Sequence, residues 1–338
     1  MRSEVTIDLG AVRRNVRRLL AALEGAELWA VVKADAYGHG AAEVARVALE
    51  EGASTLCVVT AGEGVALRAV VPDARILVMG PCFGDDLDRV RSADLELAVA
   101  QPPFPAGVPL HLKVDTGMGR YGLLELPDPP ANAVGLMSHL ATADVDPEFA
   151  ELQLQRFHAA ASVLPQLQAH VANSAAALRL PGARCSAARC GVALYGLSPF
   201  GVDPVDDGLE PVLSWRSELA QVKLLAEGES TGYGRRFVAA QPTWIGLVPV
   251  GYADGFRREL TGTEVLVDGE RRRVVGTVSM DSFAVELPGR LPKGAPVTIV
   301  GDGVLVEEHA RVAGTINYEL TTGIRSAPER ARRVFVDG

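Results

Sequence analysis

Short apolar runs recur along the first 190 residues of the chain, and segments with helical spacing separate most of them. Eight of these runs are continuous and end at polar or turn residues, which is typical of strands buried on both faces. They cover residues 28–33, 55–59, 76–79, 95–99, 110–115, 133–138, 168–171 and 186–190. Strand–helix alternation repeated eight times predicts a closed parallel barrel of the (β/α)8, TIM-like type within the α/β class.

The helical segments carry recognisable start signals and are unevenly distributed. Apolar spacing predicts helices over 11–23, 43–50, 64–69, 149–164 and 174–180, with Asp8 as a cap for the first. Residues 100–109 contain four prolines and residues 124–130 three, so these connections cannot form ordinary helices. We therefore expect some barrel helices to be shortened on this side.

The pattern changes after about residue 212. Alternating or β-branched runs then occupy 219–225, 243–249, 264–267, 273–278, 282–287, 296–300 and 333–336, and one helix-like piece covers 307–313. This predicts a mainly-β C-terminal domain. The expected boundaries are 8–212 for the barrel and 213–338, together with an N-terminal strand in 1–7, for the β domain.

Composition and charge argue against some classes of binding partner and indicate the cellular compartment. The chain has 338 residues, a net charge of −9 and no basic run, which argues against nucleic acid or an anionic membrane as a partner. The four cysteines, Cys57, Cys82, Cys185 and Cys190, have no metal-type spacing. The first residues are polar and acidic, without a secretory pattern, so we expect a cytoplasmic protein.

Lys33 is the most informative single residue. It ends the first apolar run and is followed by Ala-Asp-Ala-Tyr37-Gly-His-Gly. An amine held at the end of a buried strand is desolvated, which lowers its pKa and makes it nucleophilic toward carbonyls. A strand-end lysine whose amine reaches solvent is the alternative interpretation of Lys33 alone.

Further chemistry-bearing residues follow the other predicted strands, at the mouth where such barrels hold their active sites. His111, Lys113 and Asp115 alternate on one strand face, and they precede Thr-Gly-Met-Gly-Arg120. Later strands lead to His139, Ser174, Arg189, Gly191 and Val192. Taken singly, His139 could be a core histidine, Ser174 an N-cap and Arg189 a salt-bridged structural arginine. Together, a candidate imine lysine, a phosphate cradle of Ser174 with free N–H groups around Gly191, and Arg189 predict pyridoxal 5′-phosphate as cofactor.

Several ordered motifs carry a family resemblance over essentially the whole chain. The most specific are Val-Val-Lys33-Ala-Asp-Ala-Tyr37-Gly-His-Gly, His-Leu-Lys113-Val-Asp-Thr-Gly-Met-Gly-Arg120, Ser-His139-Leu-Ala-Thr-Ala-Asp144, Ala-Asn173-Ser174-Ala-Ala, Arg189-Cys-Gly191-Val192, Thr-Gly-Tyr233-Gly, Val-Gly-Tyr252-Ala-Asp-Gly, Val-Ser-Met280-Asp281 and Ile-Asn-Tyr318-Glu. In these segments the sequence resembles the alanine racemases, bacterial pyridoxal-phosphate enzymes of fold type III.

The resemblance implies a role for each matching residue. Lys33 would bind the cofactor covalently and act as one base, and Tyr233 would be the second base, supplied to the other subunit of a homodimer. Tyr37, Ser174, Gly191, Val192 and Tyr318 match phosphate contacts, His139 lies beside the ring, and Arg189, braced by His170, faces the ring nitrogen. Arg120, Met280 and Tyr252 match the substrate site. Lys113 matches a lysine that is often carbamylated.

The implied reaction interconverts L- and D-alanine by a two-base mechanism and supplies D-alanine for peptidoglycan. A tyrosine with an ordinary pKa of about 10 is a weak base near neutrality, so Tyr233 requires stabilisation of its phenolate. Thr277 departs from the family pattern, which commonly has arginine there, and this change could weaken a polar network near Tyr233.

Three alternatives stay open at this stage. The chain could be a racemase of broad specificity, for example for serine. A decarboxylase or aldolase of the same fold type is a second alternative, although decarboxylases usually carry a late catalytic cysteine and none follows Cys190. A non-enzymatic cofactor carrier is the third, but such relatives typically lack a second domain.

Overall fold

Eight short, largely buried parallel strands close into a barrel in the computed structural model, which describes residues 2–325, 327 and 329–338. The chain separates into two units. The barrel unit comprises Val12–Phe200 and Asp207–Glu210. The sheet unit comprises Met1–Ala11, Gly201–Asp206 and Pro211–Gly338.

The strands of the barrel follow one another in chain order. After the N-terminal strand β1 (Ser3–Asp8), they are β2 (Glu27–Val31), β3 (Thr55–Val58), β4 (Arg75–Val78), β5 (Glu96–Val99), β6 (Leu110–Lys113), β7 (Ala133–Met137), β8 (Gln168–His170) and β9 (Ala187–Cys190). Strand β9 pairs with β2 and closes the ring. The predicted (β/α)8 barrel is confirmed.

Alternate strand residues fill the barrel interior, because successive side chains point to opposite faces of a sheet. The inward cluster consists of Trp29, Val31, Cys57, Leu77, Ala98, Met137 and Ala187, all buried. Other inward positions carry polar groups, including His111, His170 and Arg189, which are likewise buried. The barrel core is therefore apolar in its middle and contains a buried polar network that needs internal hydrogen bonds.

Helices cover most of the barrel. They are α1 (Leu9–Leu23), α2 (Ala41–Glu50), α3 (Ala61–Arg68), α4 (Asp86–Ser92), α5 (Pro147–Ser162) and α6 (Ser174–Arg179). Helix α1 buries Val12, Val16, Leu19 and Leu23, which lie on one face at helical spacing. As predicted, Asp8 caps it, since its Oδ1 accepts a hydrogen bond of 3.0 Å from the Ala11 N–H.

Two barrel connections lack a helix. The described residues 100–109 and 114–132 contain no helix, in agreement with their prolines, which remove amide donors and fix φ. The predicted shortening of the helical ring on this side is confirmed.

The sheet unit is built on a nine-stranded sheet. Its later strands are β10 (Leu213–Glu218), β11 (Gln221–Leu225), β12 (Ser230–Thr231), β13 (Phe237–Val238), β14 (Thr243–Val248), β15 (Glu264–Val267), β16 (Glu270–Val275), β17 (Phe283–Leu287), β18 (Pro296–Val300) and β19 (Arg332–Val336). The order is β11-β14-β17-β16-β15-β18-β10-β1-β19, and β12 pairs with β13 as a separate ribbon. The predicted mainly-β C-terminal region is confirmed.

The core of the sheet unit is aromatic on one side. The rings of Phe256 and Phe283 stack with centroids 4.3 Å apart, and Trp215 lies edge-on to Phe256 at 6.3 Å. Two helices complete the unit, α7 (Val306–Ala313) and α8 (Asn317–Gly323). The sequence pattern predicted α7 but not α8, because the polar segment Asn317–Gly323 has only weak apolar periodicity.

Candidate active site

The segment that follows β2 departs most from the sequence prediction. The strand ends at Val31 rather than at Lys33, because four consecutive non-glycine residues, 34–37, adopt left-handed helical φ values between 51° and 55°. Each such residue costs roughly 1–2 kcal/mol relative to a right-handed conformation. Strain of this kind persists only where surrounding contacts enforce it, and it is concentrated at functional sites.

Two carboxylates hold this left-handed turn. Oε1 of Glu63 accepts the Ala34 N–H at 2.8 Å, and its Oε2 accepts the N–H groups of Val59 and Thr60 at 2.9 and 3.0 Å. Oδ1 of Asp35 accepts the Ala41 N–H at 2.8 Å, at the start of α2. The turn is therefore fixed at both ends, and Lys33 enters it from the rigid end of β2.

The Lys33 amine lies in a poorly solvated, positively charged environment. Burial lowers the pKa of this lysine, and Arg120 lowers it further, whereas the Glu63 carboxylate opposes the shift. The Nζ atom is 5.8 Å from the centroid of the Tyr37 ring. A lowered pKa raises the fraction of free amine, which is the nucleophilic form.

Lys113, Arg120, His139 and Arg189 share this environment with Lys33. Burial lowers the pKa of Lys113 to about 8, with Arg120 and Arg189 contributing. Burial and the same two arginines lower the pKa of His139 to about 3, so His139 is neutral near pH 7. The structure thus brings together five predicted site residues in a cationic mouth, which favours an anionic ligand.

Arg189 is held by a hydrogen-bonded chain through the barrel interior. Its NH1 lies 2.7 Å from His170 Nδ1, His170 Nε2 lies 2.8 Å from His111 Nδ1, and His111 Nε2 lies 2.8 Å from Glu96 Oε2. The contact between His170 and Arg189 agrees with the sequence expectation. Arg189 also donates to the carbonyls of His170 and Ser138 at 2.8 and 2.6 Å, which fixes its guanidinium plane.

The contacts of Ser174, the centre of the predicted phosphate cradle, differ in part from the sequence expectation. The N-cap of α6 is Asn173, whose Oδ1 accepts the Ala176 N–H at 3.0 Å, so the alternative interpretation of Ser174 as an N-cap is wrong. The Gly191 N–H is not free either, because it donates to Ser174 Oγ at 3.1 Å. The Ala193 N–H donates to the same oxygen at 3.4 Å, and buried Val192 lies between the two.

Gly191 is required here for space. A Cβ atom at this position would lie 2.7 Å from the hydroxyl oxygen of Tyr37. The Tyr37 hydroxyl, the Ser174 hydroxyl and the glycine backbone therefore lie close together. Hydroxyl and backbone N–H groups are common ligands of phosphate groups.

Four predicted site residues belong to the sheet unit. Tyr233 is 72% exposed and lies between two glycines with positive φ, and its carbonyl accepts the Thr277 hydroxyl at 2.8 Å. Tyr252 and Met280 belong to two loops joined by hydrogen bonds, from Tyr252 N–H to Ser279 O at 3.1 Å and from Ala253 N–H to Met280 O at 3.0 Å. Tyr318 follows Asn317, the first residue of α8.

Sequence reasoning did not identify several residues that position this site. Glu63 looked like an ordinary residue of a helix, although Thr60-x-x-Glu63 is a capping-box signature that marks it as oriented toward the preceding backbone. Glu96 is a polar residue at the start of a buried strand, and that position is its only sequence signal. Neither residue was predicted to contact its actual partners.

An eight-stranded parallel barrel with polar and charged groups gathered after its strands has the organisation of an enzyme. Comparison with known proteins specifies which enzyme family. The family model for the alanine racemase N-terminal domain matches residues 7–199, and that for the alanine racemase C-terminal domain matches residues 212–334. The chain belongs to the alanine racemase family.

Individual relatives agree with this assignment. The chain is 40% identical to the alanine racemase of Lactiplantibacillus plantarum, across 99% of this chain and 98% of the relative. It is 38% identical to alanine racemase 1 of Bacillus subtilis, across 98% and 92%. Among solved structures, alanine racemase from Streptomyces coelicolor A3(2) is 37% identical with a TM-score of 0.90, covering 100% of this chain and 98% of the other.

No helix among the described residues is long and apolar enough to cross a membrane. The described residues also contain no group of three or more histidine, cysteine, aspartate or glutamate side chains arranged to hold a metal ion.

Proposed function

We propose that this protein is a pyridoxal-phosphate-dependent racemase that interconverts L-alanine and D-alanine. The family assignment supports the reaction class. The observation that carries the proposal is the Lys33 amine, desolvated in a cationic barrel mouth that also contains the Ser174–Gly191 cradle. An amine, a phosphate cradle and an arginine fixed in plane are the groups that this cofactor requires.

The residues present fit the cofactor. Lys33 would hold it covalently, with its phosphate at Tyr37, Ser174, Gly191, Val192 and Tyr318, its ring beside His139 and its ring nitrogen toward Arg189. When bound, pyridoxal phosphate supplies an electron sink that acidifies the α-proton of an amino acid. The close approach of the Tyr37 hydroxyl to Gly191, beside the hydroxyl of Ser174, is the structural reason for proposing the phosphate there.

Arg189 would control the electronic character of the cofactor. Burial lowers the pKa of this guanidinium to about 10, so it keeps its charge near neutrality. A guanidinium donates a hydrogen bond to the ring nitrogen without transferring its proton. Arg189 would thereby leave the ring nitrogen unprotonated, which would limit the electron sink and suit racemisation better than transamination.

The two-base mechanism assigns opposite faces of the substrate to two groups. Lys33 would exchange the α-proton on one face and Tyr233 of the partner subunit on the other, in a homodimer with shared active sites. Arg120, Met280 and Tyr252 would hold the substrate, with Arg120 toward the carboxylate. Carbamylation of Lys113 would place an anion between the arginines of the cationic mouth and orient Arg120.

The proposed cellular role is the supply of D-alanine for peptidoglycan by a cytoplasmic enzyme. The alternative to an enzyme specific for alanine is a racemase of broad specificity that also accepts, for example, serine.

Exchange of the α-proton tests the proposal directly. Purified protein loaded with pyridoxal phosphate is incubated with L-alanine in D2O, and NMR follows deuteration at Cα together with the appearance of D-alanine. We expect both signals, loss of both in Lys33→Ala, and loss of most of the rate in Tyr233→Phe. Lys293→Ala, which removes an exposed lysine elsewhere, is the matched control. Normal racemisation by Tyr233→Phe would refute the two-base assignment, and parallel assays with serine measure substrate range.

A further inference from the structure

The hydrogen-bonded chain behind Arg189 extends from the proposed site to the opposite, amino-terminal end of the barrel strands. Arg189 is the third residue of β9 and His170 the last residue of β8. His111 is the second residue of β6, and Glu96 is the first residue of β5. His111, His170 and Arg189 are buried, and the Glu96 side chain is 14% exposed.

The chemistry of the four groups gives this chain a single direction. A guanidinium has only donors, so His170 Nδ1 must be the acceptor toward Arg189. The proton of a neutral His170 then resides on Nε2, which donates to Nδ1 of His111. His111 in turn carries its proton on Nε2 and donates to Glu96 Oε2. The donor and the acceptor of every hydrogen bond in the series therefore follow from its two ends, because Arg189 can only donate and an ionised Glu96 can only accept.

We infer that Glu96 is a positioning residue for Arg189, because its carboxylate fixes the tautomers of His111 and His170 and so keeps an acceptor lone pair facing the guanidinium. This inference rests on the proposed function in one respect, namely that Arg189 faces the cofactor. The tautomers themselves are a property of the protein alone.

Glu96 is suited to be the end of the chain because it remains ionised. Burial by itself raises the pKa of this carboxyl, but hydrogen bonds from His111 and Arg75 outweigh burial and lower the pKa to about 2. Arg75 donates through Nε to Oε1 at 2.9 Å and through NH2 to Oε2 at 3.1 Å. This bidentate contact holds both carboxylate oxygens of Glu96 in place and leaves Oε2 oriented toward His111.

Among the described residues, the hydrogen-bond acceptors of Arg189 include no carboxylate. They are the His170 imidazole and the carbonyls of Ser138, His170 and Val171. A buried guanidinium that contacts only neutral acceptors depends on polarisation of those acceptors. Two oriented imidazoles that end on a carboxylate provide this polarisation.

The fold also makes room for the chain at Gly135. A Cβ at this position of β7 would lie 2.0 Å from His111 Nδ1, the atom that accepts from His170. The β6–β7 register shifts at the same place, between Leu110 and His111. Any larger residue at position 135 would displace the His111 ring and break the link.

A neighbouring carboxylate supplies a matched control. Glu27, the first residue of β2, accepts hydrogen bonds from Trp29 Nε1 at 2.8 Å, Ser54 Oγ at 2.6 Å and Gln168 Nε2 at 3.0 Å. It lies at the same end of the barrel strands and 3.9 Å from Arg75, but none of these bonds involves a histidine. Glu27→Ala therefore removes the same charge without changing the terminal acceptor of the chain.

The experiment measures histidine tautomers in the cofactor-free protein labelled with 15N-histidine. Two-bond proton–nitrogen correlation spectra distinguish an Nε2–H ring from an Nδ1–H ring and from imidazolium. In the wild-type protein we expect His111 and His170 both as Nε2–H, and this result needs no substitution. A wild-type His111 with its proton on Nδ1, or with two protons, would overturn the inference.

Glu96→Ala then tests the cause. It removes both carboxylate oxygens, so the Nε2–H of His111 loses its acceptor at the end of the chain. His111 is then no longer held in one tautomer, and we expect its Nδ1–H form to appear in Glu96→Ala, with wild-type tautomers in Glu27→Ala, the corresponding change at the neighbouring carboxylate. Unchanged tautomers in Glu96→Ala, or equal changes in both variants, would contradict the assignment.

Kinetics of the loaded enzyme provide the functional measurement. We expect kcat of Glu96→Ala to fall roughly tenfold, the size usual for losing an outer hydrogen-bonding partner. KM for alanine should change much less, because Glu96 does not face the substrate. A merely structural role would instead lower thermal stability and leave the tautomers intact. If the protein proves not to be a racemase, the tautomer results still decide the positioning role.

Discussion

The Thr277 hydroxyl donates a hydrogen bond of 2.8 Å to the carbonyl oxygen of Tyr233, 44 residues earlier in the chain. The Thr277 backbone also packs closely against the loop that contains Tyr233, since a Cβ on Gly232 would lie only 2.8 Å from the Thr277 nitrogen. Thr277 is buried, whereas the Tyr233 side chain is largely exposed. Thr277 therefore anchors the backbone of the proposed second base.

Loss of this anchor should reduce catalysis more than stability. Thr277→Val keeps the shape of the side chain and removes the donor, which is worth about 1 kcal/mol for one hydrogen bond. If the whole effect reached the transition state, kcat would fall about fivefold. We expect a decrease of this size in steady-state racemisation, with little change in the unfolding temperature. Thr277→Ser keeps the hydroxyl and should retain activity, and equal rates in the two variants would contradict the anchoring role.

Substitution of alanine by glycine should stabilise the left-handed turn after Lys33, although the same substitution destabilises a helix. Ala34 is exposed and has φ of 51°, so Ala34→Gly relieves backbone strain and should stabilise the protein by about 0.5–1 kcal/mol. Ala159→Gly, at an exposed position within α5, should destabilise it by about 1 kcal/mol. Urea unfolding curves of the two variants measure both signs. Destabilisation by Ala34→Gly would show that the left-handed turn is not strained.

The barrel could be predicted from sequence because each buried parallel strand is a continuous apolar run. The position of Lys33 beside the barrel mouth followed from the same pattern. The left-handed turn could not be predicted, because alanine, aspartate and tyrosine do not favour positive φ. Its cause is the Glu63 carboxylate, 29 residues later, and such a contact is visible only when the fold is known.

The residues of the proposed phosphate cradle could be named from the sequence, but their hydrogen bonds could not. Ser174 and Gly191 were identified as neighbours because both follow barrel strands. Which atoms pair was not predictable: the hydroxyl of Ser174 accepts from Gly191, and the cap of α6 is Asn173. Glu96 was missed because a charged residue at the start of a strand usually reaches solvent, and only the barrel topology directs it toward His111.

Carbamylation of Lys113 should depend on pH in a definite direction. Burial, with Arg120 and Arg189, lowers the pKa of this lysine from 10.5 to about 8 because these effects disfavour the ammonium form. Only the neutral amine adds CO2, and about one Lys113 in ten is neutral at pH 7 by this value. At constant dissolved CO2, the carbamate should increase as pH rises from 6 to 9. A 13C NMR signal from labelled CO2 measures it.

The control for this measurement is Lys113→Met, which removes the amine and should abolish the signal. A carbamate signal that persists in this variant would assign the modification to another amine. A signal that does not change between pH 6 and 9 would contradict the lowered pKa as the cause.

Substitution of Gly191 should weaken cofactor binding through a steric contact with Tyr37. The new Cβ would lie 2.7 Å from the Tyr37 hydroxyl oxygen and 3.0 Å from its Cζ. Overpacking of this kind costs roughly 1–3 kcal/mol, so the Kd for pyridoxal phosphate should rise about 5- to 150-fold in Gly191→Ala if the bound state carries the whole cost. Equilibrium titration followed by cofactor absorbance measures the change. Gly182→Ala, where a Cβ meets open space within the same unit, should leave the Kd unchanged.

A double-mutant cycle separates the steric cause from a loss of backbone contacts. Tyr37→Phe removes the closest atom of the contact and also removes a proposed phosphate ligand, so it should weaken binding by itself. If the Cβ acts by displacing the Tyr37 hydroxyl, Gly191→Ala should have a smaller effect in the Tyr37→Phe background than in the wild type. Strictly additive effects would instead mean that Gly191 acts through its own N–H and the hydroxyl of Ser174, and the cradle would then be formed without Tyr37.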